Sequence, residues 1–208
     1  MSEDRRWMRV ALGLAARGLG RVAPNPSVGA VILKGGRMLG RGVTGAGGRP
    51  HAEAVALDQA RTRHGAEALS GATAYVTLEP CAHHGLTPPC AESLISAGIA
   101  RVVCPIEDPD PRVSGRGIAR LRAAGVEVET GVLAEEARAF HAGFLSRLER
   151  GRPHVTLKLA TTLDGRIATA SGESRWITGP AARRRVHGMR AASDAVMVGA
   201  GTAREDNP

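Results

Sequence analysis

The chain has 208 residues, a formal net charge of +8 and 43% hydrophobic residues, enough for one large domain or for one domain and part of another. Aromatic residues make up only 2%. The core must therefore come from Val, Ile, Leu and Ala, and the scattered aromatics exclude a stacking platform for single-stranded nucleic acid.

Ser2 is placed to cap a first helix, in which Trp7, Met8, Val10, Ala11, Leu14 and Ala15 recur at helical spacing to about Gly18. Pro24-Asn25-Pro26 breaks it. Residues 28–33 and 37–43 read as strands joined by Lys34-Gly35-Gly36, a hairpin signal. After the loop 45–50, Pro50 leads into a helix through Gln59 that carries His51 and Glu53 in its first turn. A strand follows over 72–78, then a loop, a helix from Cys90 to Ala97, a strand over 101–106, a helix over 116–124 and a strand over 126–130. This alternation predicts an α/β protein, a three-layer α/β/α domain around a mixed, mostly parallel sheet with the hairpin as its antiparallel part. Residues 133–150 read as one long charged helix, and Gly151-Arg152-Pro153 marks a boundary. The expected domains are 1–150 and 151–208. In the second, strands are expected over 155–160 and 195–198, with a turn near Asp164-Gly165 and a basic helix over 180–191.

The chemistry gathers in two stretches, Pro50-His51-Ala52-Glu53 and Glu79-Pro80-Cys81 with Cys90. Singly, each residue is unremarkable: a lone His is usually structural, and a buried Cys usually acts as a small hydrophobe. Jointly they offer an imidazole and two thiolates, with a carboxylate two residues from the imidazole. Catalytic zinc sites commonly take three protein ligands and leave the fourth position to a water, whose pKa falls towards neutrality. Glu53 is then a proton carrier and His51, Cys81 and Cys90 the ligands. Cys104, in an apolar run, reads as core. The pattern His-x-Glu…Pro-Cys-x-x-Cys marks zinc nucleobase deaminases, but here eight residues separate Cys81 from Cys90.

Lys34 and Lys158 are the only lysines, so the positive charge is nearly all arginine. Dispersed arginine suits a small phosphorylated substrate better than nucleic acid. No run of about 18 apolar residues suggests a membrane helix. The charged start at Met1 to Arg6 is unlike a signal peptide, and three cysteines with metal-type spacing suggest a reducing cytoplasm.

Taken together, Pro24-Asn25-Pro26-Ser27-Val28-Gly29, Pro50-His51-Ala52-Glu53, the run from Tyr75 through Glu79-Pro80-Cys81 to Cys90, Asp108-Pro109-Asp110-Pro111, Gly115-Arg116-Gly117, Lys158 to Arg166 and Ser171 to Thr178 resemble the bifunctional riboflavin-biosynthesis deaminase/reductase family. The resemblance implies a cytidine-deaminase-like domain followed by a dihydrofolate-reductase-like segment, incomplete at this length. The first would hydrolyse the 2-amino group of 2,5-diamino-6-ribosylamino-4(3H)-pyrimidinone 5′-phosphate, and the second would reduce the ribosyl chain with NADPH. By position, His51, Cys81 and Cys90 match zinc ligands, and Glu53 matches the proton shuttle. Asn25 and His83 match residues of the deaminase pocket. Ala160, Trp176, Thr202 and Asp206 match NADP-contacting positions, and Ser174 and Arg190 match substrate-contacting ones. Members of the family tend to form homo-oligomers.

Two positions depart from the family pattern: Thr44 stands where a His is usual, and Leu86 where a basic residue near the substrate phosphate is usual. Arg49 and Arg112 are the nearby replacements that the sequence offers. A nucleic-acid or nucleoside deaminase, and a zinc-stabilised partner subunit without activity, are the alternatives. The long Cys81–Cys90 interval weighs against the first and the intact Glu53 against the second.

Overall fold

The Ser2 hydroxyl accepts the backbone N–H of Arg5 and so starts α1, Glu3–Ala15. The structure is a computed structural model and describes residues 2–83 and 88–207. Strands β1, Gly29–Lys34, and β2, Arg37–Val43, form the expected hairpin. Its turn places Gly35 and Gly36 at φ of +56° and +74°, values that residues with a β-carbon rarely adopt. Then come α2, Ala52–His64, β3, Thr73–Val76, α3, Cys90–Ser96, β4, Arg101–Cys104, α4, Arg116–Ala123, and β5, Glu127–Thr130.

The sheet has the order β2-β1-β3-β4-β5. β1 runs antiparallel to both β2 and β3, while β3–β4 and β4–β5 are parallel. The sheet is mixed as expected, with its pairings evenly divided where the strand–helix alternation had predicted a parallel majority. β1 accounts for the difference, because it inserts between its hairpin partner and β3.

Side chains that alternate along the strands serve two cores. Ala30, Ile32, Ala74, Val76 and Val102 pack with α2, α3 and α4 on one face. Val31, Leu33, Tyr75 and Val103 pack on the other, with α1 and with Ala137 and Leu145 from the helices after β5. Burying each Val, Leu or Ile side chain among these stabilises the fold by roughly 1.5–3 kcal/mol. The result is the three-layer α/β/α arrangement. Cys104 is fully buried in β4, as a core residue should be.

The single helix expected over 133–150 is two helices, α5, Ala134–Phe140, and α6, Ala142–Arg150. The break falls at His141, with φ −86° and ψ 11°. Its buried imidazole turns inward, Nε2 lying 3.0 Å from the carbonyl oxygen of Thr77 just past β3. A bond to a carbonyl 64 residues away has no signature in local periodicity.

Residues 155–208 form a second unit, after a first that spans Met1 to His154. The second contains α7, Pro180–Ala191, and α8, Ala200–Asp206. A turn at 162–166 is closed by Thr162 and Arg166. The strands expected over 155–160 and 195–198 are not formed. A strand is stabilised by ladder partners, and among the described residues this unit has none. Val155, Leu157, Leu159, Val196 and Met197 are exposed here. Among the described residues, no helix is long and apolar enough to cross a membrane.

Candidate metal centre and its cleft

Two glycines of β2 decide where the first ligand stands. A β-carbon on Gly42 would lie 2.1 Å from the carbonyl oxygen of Ala52, and one on Gly40 would lie 2.2 Å from that of Ala56. With hydrogen at both positions, α2 lies directly on β2. Its N-terminus then presents His51, the residue before the helix, and Glu53, the second residue within it. Cys81 follows β3 after Glu79-Pro80, and Cys90 opens α3. The two ends of that loop are tied together: Ala91 N–H donates to the Cys81 carbonyl at 3.1 Å, and Cys90 N–H to the Cys81 sulfur at 3.3 Å.

These elements bring His51 Nδ1 to 3.3 Å from Cys90 Sγ and 3.7 Å from Cys81 Sγ. The three ligand atoms lie within 4.8 Å of one another. Tetrahedral zinc, with Zn–S near ~2.3 Å and Zn–N near ~2.0 Å, sets sulfur and nitrogen about 3.5 Å apart. The donor set therefore fits zinc in both chemistry and spacing, with Nδ1 as the ligating nitrogen.

In this arrangement the hydrogen bond from Cys90 holds the Cys81 thiol down to about 4, with His51 adding to the effect against the cost of burial. The same bond, together with burial, pushes Cys90 far up. The bond to Cys81 raises His51. Burial pushes the Glu53 carboxyl up to about 7, and the negative charge of Cys81 acts in the same direction. Glu53 is 4% exposed. A carboxyl so placed can both accept and release a proton.

The centre opens into a cleft of about 220 Å³, lined in part by His51, Glu53 and Cys81. Asn25 and His83, expected in the pocket, both line it. Asn25 Nδ2 donates to the Gly48 carbonyl at 2.9 Å, which holds the 24–26 turn against the loop before His51. His83 Nδ1 is buried with no hydrogen-bond partner among the described residues. Thr44 lines the cleft too, and its hydroxyl accepts the Val28 N–H at 2.9 Å, so the residue in the usual His position ties β2 to the turn before β1. Leu86 lies outside the described residues.

Three features were not read from the motifs. Glu79 is buried, and its carboxylate accepts four backbone N–H groups, from Asp108, Gly115, Gly117 and Ile118, at 2.8–3.2 Å. It thereby joins the segment that ends at Cys81 to the start of α4. Asp108 and Asp110 line the cleft, and burial pushes Asp108 up to about 6. Arg147 on α6 lines it as well. Only position in the fold identifies these, although the Glu79-Pro80-Cys81 run and the Asp108 to Pro111 turn had singled out their neighbourhood.

Of the arginines named as replacements for a basic residue at 86, both Arg49 and Arg112 line the cleft. Arg112 pairs with Asp110 at 2.6 Å. Ala160 and Arg190 are half-buried, and Ser174, Trp176 and Thr202 are exposed. The Arg183 guanidinium covers the Trp176 ring at 4.3 Å. Asp206 closes α8, and its side chain falls outside the described residues.

A family model described as the cytidine and deoxycytidylate deaminase zinc-binding region matches residues 1–106. One described as the RibD C-terminal domain matches residues 153–208. The chain is similar to riboflavin biosynthesis protein RibD of Escherichia coli (strain K12), 50% identical over 206 residues that cover 99% of this chain and 55% of that protein. It is 47% identical to RibD of Aquifex aeolicus (strain VF5) over 99% of this chain and 56% of that one. The chain spans about half the length of the curated relatives it matches. Among solved structures, it superposes with TM-score 0.91 on a diaminohydroxyphosphoribosylaminopyrimidine deaminase/5-amino-6-(5-phosphoribosylamino)uracil reductase from Thermotoga maritima, at 48% identity, covering 99% of this chain and 58% of that chain. An Aspergillus oryzae Rib2 deaminase in complex with DARIPP aligns over 71% of this chain and 95% of its own, with TM-score 0.58 and 25% identity.

Proposed function

The chain belongs to the cytidine and deoxycytidylate deaminase zinc-binding family, and we propose that residues 1–150 form a zinc-dependent deaminase that acts on 2,5-diamino-6-ribosylamino-4(3H)-pyrimidinone 5′-phosphate. One observation carries this reading. His51 Nδ1, Cys81 Sγ and Cys90 Sγ converge within 4.8 Å, and the buried Glu53 lines the same cleft as His51 and Cys81.

His51, Cys81 and Cys90 would hold the zinc. When bound, the ion supplies Lewis acidity and an acidified water in its open coordination position. Glu53 takes a proton from the attacking water as its oxygen bonds to the amidine-like ring carbon. Glu53 then delivers that proton to the ring nitrogen and serves the departing amine in the same way. The carbon–nitrogen bond breaks and the 2-amino group leaves as ammonia. Asn25 and His83 line the same cleft as Glu53. His83 Nδ1, without a hydrogen-bond partner among the described residues, offers a hydrogen-bonding group to a ligand. The unsatisfied atom accords with a polar partner brought by the substrate.

Residues 151–208 correspond in this reading to the N-terminal part of a reductase domain, with Ser174 and Arg190 towards its substrate and Ala160, Trp176, Thr202 and Asp206 towards NADPH. Described by itself, the unit does not fit the cofactor. Three of the matched residues stand exposed, and the Trp176 face is covered by Arg183. The same reading makes the protein a cytoplasmic homo-oligomer whose partner is a small phosphorylated pyrimidine.

The test is ammonia release from the diaminopyrimidine nucleotide, with chelator and with zinc restored. Turnover that disappears on chelation and returns with zinc is the expected result. No release from the zinc-loaded protein, or release indifferent to chelation, would overturn the proposal.

A further inference from the structure

The cleft carries charge of both signs. Its lining includes four carboxylates, from Glu53, Glu79, Asp108 and Asp110, together with the metal ligands His51 and Cys81. The same lining carries three guanidinium groups, from Arg49, Arg112 and Arg147. A ligand that matches both is a heterocycle with donor groups that also carries an anion. The three arginines are not equivalent in that role. Arg112 is engaged by Asp110 through both carboxylate oxygens, at 2.6–3.2 Å, so its charge is largely answered within the protein.

Arg147 differs. Its Nη2 donates to the carbonyl oxygen of Pro24 at 2.9 Å, and its guanidinium lies 5.7 Å from the centre of the Phe144 ring. Both Pro24 and Phe144 line the cleft. These contacts orient the guanidinium without neutralising it. Among the described residues no carboxylate pairs with Arg147, although five other arginines of the same unit do have one. A fixed, uncompensated guanidinium at the exposed edge of a cleft is suited to bidentate recognition of a phosphate.

We propose that Arg147 is a specificity-determining residue that holds the phosphate monoester of the substrate at the edge of the cleft, while the heterocycle reaches the metal centre. The assignment rests on the deaminase reading for its substrate, although the anion seat itself does not. It gives α6 a task that the sequence motifs leave open. It also supplies a cation on a different element from position 86, where the usual basic residue is replaced by Leu.

The test uses the zinc-loaded full chain and two substrates, the diaminopyrimidine nucleotide and its dephosphorylated nucleoside. With Arg147→Ala, KM for the nucleotide should rise roughly 10- to 100-fold, as expected for loss of a charge-assisted contact. The kcat value and the nucleoside kinetics should change little. Arg147→Lys should restore part of the difference, and Arg150→Ala, on the same helix outside the cleft lining, should behave as wild type. A nucleotide preference that survives in Arg147→Ala, or an equal loss for both substrates, would overturn the proposal. Calorimetric titration with inorganic phosphate separates this proposal from the deaminase reading. Phosphate binding that is present in the wild type and lost in Arg147→Ala supports the seat even where neither substrate turns over. Equal or absent binding in both rejects it.

Discussion

The Glu79 carboxylate accepts the backbone N–H of Gly117 at 2.8 Å, at a point where a β-carbon on Gly117 would lie 1.9 Å from the carbonyl oxygen of Pro80. The two residues meet because α4 begins directly over the Glu79-Pro80 step, leaving no room for a side chain. Cys81 is the next residue, so this contact sets the height of one sulfur of the metal centre. Three further N–H groups converge on the same carboxylate. The start of a helix, which lacks partners for its first donors, is thus satisfied by a residue from a distant strand end.

Replacing Glu79 with Gln keeps the shape and removes acceptor capacity, since the amide nitrogen would face N–H donors. Each buried donor left unpaired costs about 1–3 kcal/mol. Glu79→Gln is therefore expected to lower thermal stability clearly and to weaken zinc binding through Cys81. Gly117→Ala should be at least as damaging, because the obstructing atom is backbone. Thermal unfolding and zinc titration of both variants check this. Wild-type behaviour in Gly117→Ala would show that the α4 junction is looser than its geometry implies.

Gly42 makes a parallel case on the other side of the centre. The carbonyl oxygen of Ala52 lies 2.1 Å from where a β-carbon would stand, and Ala52 separates His51 from Glu53. Gly42→Ala is expected to push the start of α2 off the sheet, with zinc affinity and turnover falling together. Gly13 serves as the contrast, because a β-carbon there meets nothing within 4 Å and the site is inside α1. Gly13→Ala should stabilise by roughly 0.5–1 kcal/mol. Zinc stoichiometry and melting temperature of the pair decide the matter.

Local chemistry made part of this fold legible. The Lys34-Gly35-Gly36 turn specifies its hairpin through positive φ, and Ser2 announces α1 through its cap. The three residues of the candidate metal centre stood out because an imidazole and two thiols at such spacing have few other uses. What remained hidden depends on partners far along the chain. The break at His141 needs the Thr77 carbonyl, the role of Glu79 needs the 108–118 backbone, and Arg147 reaches the cleft only because α6 packs beside Pro24. The strands expected over 155–160 and 195–198 failed for a related reason. Alternating apolar residues favour a strand only where a neighbouring strand can pair, and none stands among the described residues there.

His141 gives the fold a predictable response to acid. Its imidazole is 3% exposed, and burial pushes it down to about 4 despite the opposing bond to the Thr77 carbonyl. In the unfolded chain it titrates near ~6.5. Between these values the unfolded state binds the extra proton, so stability rises with pH across the window. The contribution is complete above pH ~6.5 and is lost as pH falls towards 4, up to about 3 kcal/mol. His141→Gln, which keeps an amide donor for Thr77 but does not titrate, should lose this dependence. Unfolding free energies at pH 7 and pH 4.5 provide the check: the wild type should lose more than the variant between them. An equal loss would show that His141 is not a source of the acid sensitivity.

Glu53→Gln separates holding the metal from moving the proton. The side chain keeps its volume in a site that is 4% exposed, and His51, Cys81 and Cys90 are untouched, so zinc should bind at full stoichiometry. The amide cannot take a proton from water or return one to the ring nitrogen and the leaving amine. General acid–base catalysis is typically worth about 10²–10⁴-fold, and one residue here serves more than one transfer, so kcat should fall at least towards the upper end of that range. KM should change much less, because Glu53 assists the reacting atoms rather than the anionic end of the substrate. Metal analysis alongside ammonia release distinguishes the outcomes. Full zinc with turnover preserved would remove Glu53 from the mechanism, whereas zinc lost together with turnover would make its role structural.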